Sequence, residues 1–251
     1  MCTIIVAWQV FEEIPFVAAA NRTEAYDRPA VGPRVLHDDP RIVGPQDRTA
    51  GGTWIGHNEF GLIGAVTNRW TDATLAGTRS RGLLTRDALT YESVAEARPF
   101  VDAQVEEYEF AGFNLLLADR DDALLFEWDG DLTVTPLSPG VSIVVNVGST
   151  VGNGFTIPTT RSAEGEAQAA NTRRALEAVR PDEGESAHEW LDRTTDVLRD
   201  HVYGFCIHSY IFGTRSSSTY LLYEDGTVDT RFADGPPCQT DYAPVSINRT
   251  E

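Results

Sequence analysis

The 251-residue sequence contains no lysine. All 20 basic side chains are arginine, set against 38 Asp and Glu, and the formal charge is −18. The missing lysine excludes a Walker-type phosphate loop, so Gly152-Asn153-Gly154 is not one. The charge argues against a nucleic-acid partner, because phosphate backbones are held by basic surfaces. Cysteine is scarce: Cys2, Cys206 and Cys238 form an odd set with no CxxC or other metal-type spacing. Cys206 lies in an apolar run and reads as a core thiol; Cys238 follows Pro236-Pro237 and reads as a loop residue. A disulfide between them would need an oxidising compartment. Long apolar runs are missing too. No stretch approaches the ~20 residues of a membrane helix. Residues 3–8 are apolar but lack a preceding basic region and are followed by Glu12-Glu13, unlike a signal peptide. No membrane insertion is expected, and the expected location is the cytoplasm. Acidic residues run along the whole chain. A lysine-free acidic surface reads as adaptation to high salt, where a Debye length of ~3 Å at 1 M suppresses carboxylate repulsion.

What is present supports a folded core: 41% hydrophobic and 10% aromatic residues, with no repeat, linker or low-complexity segment. A single domain over residues 1–251 is the simplest expectation. Apolar or alternating runs predict strands at 3–9, 15–20, 52–57, 62–67, 113–118, 124–128, 132–136, 142–147, 218–223 and 227–232. Turn residues such as Asn58-Glu59-Phe60-Gly61 and Glu224-Asp225-Gly226 join neighbours into hairpins. Helices are predicted at 82–89, 93–102, 161–179 and 186–199, the last opening on a Ser186/Glu189 capping box. Residues 24–47 read as a long irregular loop of the kind that forms lids or rims. The class is α+β, with helices covering largely antiparallel strands.

Cys2 carries the chemistry. A methionine aminopeptidase removes Met ahead of a small side chain, which would leave Cys2 with both a thiol and a free α-amine. An α-amine titrates at about 7.7–8.0 and suits a general base; a nucleophile served by its own terminal amine is an established arrangement. The second strand leads into Asn21-Arg22-Thr23-Glu24. If the first two strands pair, these groups approach Cys2: an Arg favours the thiolate, a carboxylate holds an ammonium, and an Asn orients an amine or donates to an oxyanion. The five histidines, His37, His57, His188, His201 and His208, show no ligand pattern and read as structural or surface residues, so no metal is expected. His37-Asp38-Asp39-Pro40 reads as a solvated acidic loop. Trp54 reads as core, and Trp70 as either core or pocket wall. Asn21-Arg22-Thr23 and Asn248-Arg249-Thr250 match glycosylation sequons, which an intracellular chain does not use.

Met1-Cys2, Ala20-Asn21-Arg22-Thr23-Glu24 and Tyr26-Asp27-Arg28-Pro29 resemble the NRDE family, the family of the transport and Golgi organisation protein 2. So do Gly51-Gly52-Thr53-Trp54, Val66-Thr67-Asn68, Ser80-Arg81-Gly82, Gly112-Phe113-Asn114-Leu115 and Gly213-Thr214-Arg215, in order. Thr23 departs from the Asp of the family name. The resemblance implies an N-terminal-nucleophile hydrolase-like fold, a four-layer αββα sandwich, similar to the bile-salt hydrolase and penicillin V acylase group. It implies Cys2 as nucleophile, Asn68 and Asn146 as backbone and side-chain oxyanion donors, and Arg215 near the thiol. Those acylases use an Arg and an Asp three apart, a spacing matched by Asn21 and Glu24; either that pair or Arg22 takes the role. The implied activity is hydrolysis of an amide in a small molecule, with no cofactor required. The alternative is a non-catalytic haem or acyl-lipid handling protein, with the Cys2 thiolate available as an axial ligand.

Overall fold

Apolar runs at the start of the chain form β1 (Thr3–Phe11) and β2 (Ile14–Ala25). The computed structural model describes residues 2–247; the expected loss of Met1 and the sequon at Asn248 lie outside them. Next come β3 (Ala30–Asp38), β4 (Arg41–Asp47), β5 (Ile55–Asn58) and β6 (Ile63–Asn68). Helices α1 (Arg81–Ala88) and α2 (Val94–Glu107) precede β7 (Phe113–Ala118), β8 (Ala123–Trp128), β9 (Leu132–Pro136), β10 (Gly140–Val145) and the two-residue β11 (Gly148–Ser149). The chain then forms α3 (Ser162–Ala178), α4 (Ala187–Arg199), β12 (Phe212–Leu222), β13 (Val228–Ala233) and β14 (Ala243–Pro244).

The strands make two seven-stranded antiparallel sheets, ordered β11-β10-β1-β2-β12-β13-β14 and β3-β4-β5-β6-β7-β8-β9. Period-two alternation sorts each strand's side chains between two apolar layers. Ile4, Val6, Trp8, Phe16 and Ala18 meet Ile55, Ile63, Leu116 and Leu125 between the sheets. Ile5, Ala7, Val17 and Ala19 face Ala169, Ala175, Trp190 and Leu198 of α3 and α4. Leu115, Leu117 and Phe126 face Leu84, Ala88, Ala97 and Val101 of α1 and α2. The result is the expected four-layer αββα sandwich. The predicted capping box on α4 is present, with Ser186 Oγ accepting from the Glu189 N–H and the Glu189 carboxylate accepting from the Ser186 N–H.

Two expectations are corrected. Residues 24–47 are not an irregular loop: they hold β3 and β4, a hairpin on the edge of the second sheet with two register shifts. Pro33, Pro40 and Pro45 obscured the strand pattern, yet proline is tolerated on edge strands. Likewise β2 does not stop at Ala20. It continues to Ala25 because β12 pairs with it over that whole length, so Asn21 to Glu24 are strand residues. Gly52, in the Gly-Gly-Thr-Trp stretch, has a steric cause. A Cβ there would collide with the Gly82 carbonyl at the start of α1, which accepts a hydrogen bond from the Thr53 N–H at 3.0 Å.

A buried polar network ties the two sheets together near one end. Arg69, immediately after β6, donates to Asn114 Oδ1 (3.0 Å), Glu127 Oε1 (2.9 Å) and Asp129 Oδ2 (3.1 Å). Asn114 in turn donates to Thr67 Oγ1 and to the Val145 carbonyl of the facing sheet, at 3.0 and 2.9 Å. Arg69 and Glu127 are both only 2% exposed in their side chains. Burial pushes the Glu127 carboxyl up although Arg69 opposes it.

Two predictions follow from these buried groups. Arg69→Met leaves Glu127 without its partner and should cost about 3–5 kcal/mol in urea unfolding, most of it recovered on adding Glu127→Gln. His57 packs edge-on against Tyr220 and its buried Nδ1 has no hydrogen-bond partner among the described residues. Burial, and then the Arg41 charge, lower its pKa from 6.5 to about 4. The unfolded chain therefore takes up a proton that the folded chain refuses. Stability present above pH 6.5 is lost as pH falls towards about 4, to the extent of about 3 kcal/mol. His57→Gln should remove that part of the pH dependence, measured as urea midpoints across the interval; an unchanged slope would contradict it.

Candidate active site

Cys2 stands at the open end of β1, and β1 is flanked on both sides. The β1–β2 ladder pairs Thr3 with Asn21 and Ile4 with Ala20. Carried on one step, it sets Cys2 level with Arg22. The β1–β10 ladder pairs Ile4 with Val144. Carried on two residues, it sets Cys2 level with Asn146. One register thus delivers a cation to one side of the thiol and an amide to the other. The Cys2 Sγ donates to the Thr23 carbonyl at 3.5 Å.

On the β2 side Arg22, not Asn21, shares the face of Cys2. Alternation turns them to opposite faces. Asn21 is buried towards the helices, where its Nδ2 donates to the Leu198 and Phe205 carbonyls at 3.0 and 3.1 Å. The Asn21 sequon is therefore buried as well. Thr23 follows the Asn21 face, its hydroxyl 3.2 Å from that of Thr214, so the position where the family name has Asp contributes only its carbonyl to Cys2. Arg22 is 5% exposed, stacks over Trp54 at 4.3 Å and donates to Asp47 Oδ2 at 3.4 Å. Its Nη1 is buried with no hydrogen-bond partner among the described residues. Burial lowers the pKa of both Arg22 and Arg81, and the charge of Cys2 is the largest attraction opposing it in each. Glu24 accepts from the Ala25 N–H at 2.9 Å and adds its negative charge to both arginines.

Asp47, Arg28 and Arg81 were not singled out as site residues from the sequence. Asp47 lies at the end of β4, inside the segment read as loop, and joins Arg22 and Arg28 in one ion cluster. Burial alone would raise its carboxyl; hydrogen bonds from Arg28 and the Ala50 N–H outweigh it and hold the carboxyl below its usual range. The Ser80-Arg81-Gly82 stretch was a sufficient signal for Arg81, whose Nη1 donates to the Gly112 carbonyl at 2.8 Å.

On the β10 side, Asn146 Nδ2 donates to the Asn68 carbonyl at 2.7 Å, and the Asn146 carbonyl accepts from the Trp70 N–H at 2.8 Å. Gln168 of α3 donates to Asn146 Oδ1 at 3.4 Å and accepts from the Val147 N–H at 2.8 Å. These contacts fix the amide orientation and leave Nδ2 a second hydrogen. Asn68 and Arg69 are adjacent, so the network around Arg69 anchors the strand end that carries Asn68. Gln168 sits mid-helix in an unremarkable stretch and gave no sequence signal.

Cys2, Glu24 and Asn68 line both of two adjoining cavities. The larger, about 620 Å³, also has Asn146, Trp70, Tyr210, Ile211 and Phe212 on its wall. The smaller, about 370 Å³, is lined by Arg22, Arg28, Arg79, Arg81, Asp47 and Trp54. Trp54, expected as core, is therefore also cavity wall, and Trp70 is pocket wall, with Arg161 stacked on it at 4.7 Å. Arg215 is not among the residues lining either cavity. Its Nη1 donates to the Ala25 and Tyr26 carbonyls, both at 2.9 Å, and braces the rim instead of the thiol. Cys206 lies outside both cavities, is buried, and burial pushes its thiol up. Cys206 and Cys238 are free thiols.

Two solved structures share this architecture. An N-acylethanolamine-hydrolyzing acid amidase ortholog from Caenorhabditis elegans superposes with a TM-score of 0.56 at 13% identity, covering 87% of this chain and 92% of that one. Penicillin V acylase from Agrobacterium tumefaciens superposes with a TM-score of 0.50 at 15% identity, covering 94% and 92%. At such identities the likeness is one of fold, the N-terminal-nucleophile hydrolase fold. In sequence, the mouse Transport and Golgi organization 2 homolog is 31% identical over 106 residues, which are 41% of this chain and 38% of the mouse protein. The profile of the family described as Transport and Golgi organisation 2 matches residues 1–231. This chain belongs to that family.

Proposed function

We propose that this chain is an N-terminal-cysteine amidohydrolase that cleaves the carbon–nitrogen bond of a small acyl amide. The observation that carries the reading is the flanking of Cys2 by Arg22 and Asn146 at the junction of an apolar and a cationic cavity. With Met1 removed, the Cys2 α-amine, directly or through a water, takes the thiol proton. The sulfur attacks the amide carbonyl carbon, and the carbonyl oxygen becomes an oxyanion held by the Asn68 N–H and Asn146 Nδ2. Each such donor is worth roughly 3 kcal/mol in comparable sites. Collapse breaks the carbon–nitrogen bond, and the ammonium returns its proton to the departing amine. Water then hydrolyses the thioester, releasing a carboxylic acid and restoring the thiol.

Arg22 and Arg81 would hold the thiolate and Glu24 would offset their charge. The acyl group would take the cavity walled by Trp70, Tyr210, Ile211 and Phe212. The amine portion would carry polar or anionic groups towards Arg22 Nη1, a buried donor left over. The amidase and acylase names of the two structural neighbours fit the same reaction class. A haem or acyl-chain carrier gains less: among the described residues no histidine lines either cavity.

The test is amine release from a panel of N-acyl amides of increasing acyl length, run at several salt concentrations because of the −18 charge. Cys2→Ala should abolish turnover. Asn146→Ala should lower kcat by about 10²–10³ with the fold intact. Hydrolysis that survives Cys2→Ala would overturn the reading.

A further inference from the structure

A second cluster of reactive side chains lies beyond the rim of the larger cavity. His201 follows α4, Cys206 and His208 lie on the segment leading to β12, and Cys238 lies between β13 and β14. The sequence gave no ligand spacing because 32 residues separate the two cysteines, and β12 and β13 are needed to bring them together. One nitrogen or sulfur from each of the four residues lies within 4.8 Å of the other three. The Cys206 and Cys238 sulfurs are 3.5 Å apart, and His208 Nε2 is 3.7 Å from the first and 3.1 Å from the second. A tetrahedral zinc ion with Zn–S of about 2.3 Å and Zn–N of about 2.0–2.1 Å requires ligand-to-ligand separations of about 3.3–3.8 Å. The cluster approximates those edges, and its longest separation closes with a small side-chain movement.

Two further features suit a cation. His201 Nδ1 is 3.1 Å from the Cys206 carbonyl. A carbonyl only accepts, so Nδ1 carries the hydrogen and Nε2 keeps the lone pair, the outer contact that orients a histidine ligand. Cys206 is buried while both imidazoles are exposed, so an ion would be held from below by sulfur and reached from solvent. We propose that His201, Cys206, His208 and Cys238 form a structural site for zinc or a similar borderline-soft divalent cation. Two thiolates and two imidazoles form a closed donor set without an open position, which suits a structural ion and not a catalytic one.

Its consequence is local. His208 bridges to Gly213 and bounds the turn that presents Tyr210, Ile211 and Phe212, which are 97%, 70% and 40% exposed. Within that turn the Ser209 N–H donates to the Phe212 carbonyl, and the Tyr26 N–H donates to the Ile211 carbonyl at 3.1 Å. A bound ion would tie this turn to the chain around Cys238 and hold one wall of the larger cavity.

The experiment measures metal on the 251-residue protein by plasma mass spectrometry, before and after chelation and reloading with zinc alone. The expected result is one zinc per chain, and on cobalt substitution a tetrahedral d–d spectrum with a thiolate charge-transfer band. Cys238→Ser should lose the metal and the band, and His208→Ala, a gentler surface change, should weaken zinc binding by at least tenfold. Chelation should speed chymotryptic cleavage at Tyr210 or Phe212 by about tenfold, and zinc should reverse it. Failure of the reduced wild-type protein to bind added zinc or cobalt would overturn the proposal. So would an unperturbed cobalt spectrum in both variants, or a protein mass short of two hydrogens that maps to a Cys206–Cys238 disulfide and persists in reductant-free zinc.

Discussion

The site depends on the burial of β1 between β10 and β2. A strand with neighbours on both sides cannot slip its register by one residue without turning its entire apolar set to the wrong layer. Ile4, Val6 and Trp8 fill the space between the sheets, and Ile5 and Ala7 fill the space under α3 and α4. That alternation fixes where Cys2 must stand. The same argument applied to β2 sends Arg22 to the face of Cys2 and Asn21 to the helices. Applied to β10, it brings Asn146 level with the thiol. Arg22 is therefore placed within β2, and Cys2 and Asn146 each stand one residue beyond the end of a strand whose register the core fixes.

Electrostatics at the site run against burial throughout. Arg22 and Arg81 are held in low-dielectric surroundings that disfavour their charge; Cys2 and Glu24 supply compensating charge to both, and Asp47 to Arg22. Asp47 is satisfied by Arg28 and two backbone N–H groups as well as by Arg22. Arg22 itself is left with an unused buried donor, Nη1. A ligand that supplies an acceptor in the smaller cavity would complete it. The Arg69–Asn114–Glu127 network does comparable work behind Asn68 and Asn146. It couples the end of β6 to β10 across the gap between the sheets.

Much of this was legible in the sequence. The strands with continuous apolar runs, the capping box on α4 and the choice of Cys2, Asn68 and Asn146, which line the larger cavity, all came from local patterns and from motifs that resemble a family. What was not legible is long-range. Asp47 was hidden because prolines broke the β3–β4 pattern. The choice between Arg22 and Asn21 depended on knowing that β2 continues to Ala25, which only pairing with β12 decides. Arg215 was placed near the thiol by motif alone, whereas a register shift between Thr214 and Ser216 accompanies its turn towards the Ala25 and Tyr26 carbonyls. Gln168 and the His201–Cys206–His208–Cys238 grouping depend on contacts between elements distant in sequence, and spacing carries no trace of them.

The most direct test is the rate at which Cys2 is alkylated by iodoacetamide near neutral pH, followed by peptide mapping in wild type, Arg22→Leu and Arg81→Leu. The account predicts that Cys2 reacts first and well ahead of Cys206, and that Arg22→Leu slows it about tenfold, since loss of the adjacent cation disfavours the thiolate. A Cys2 that reacts no faster than an unstructured cysteine, at a rate indifferent to both substitutions, would contradict it.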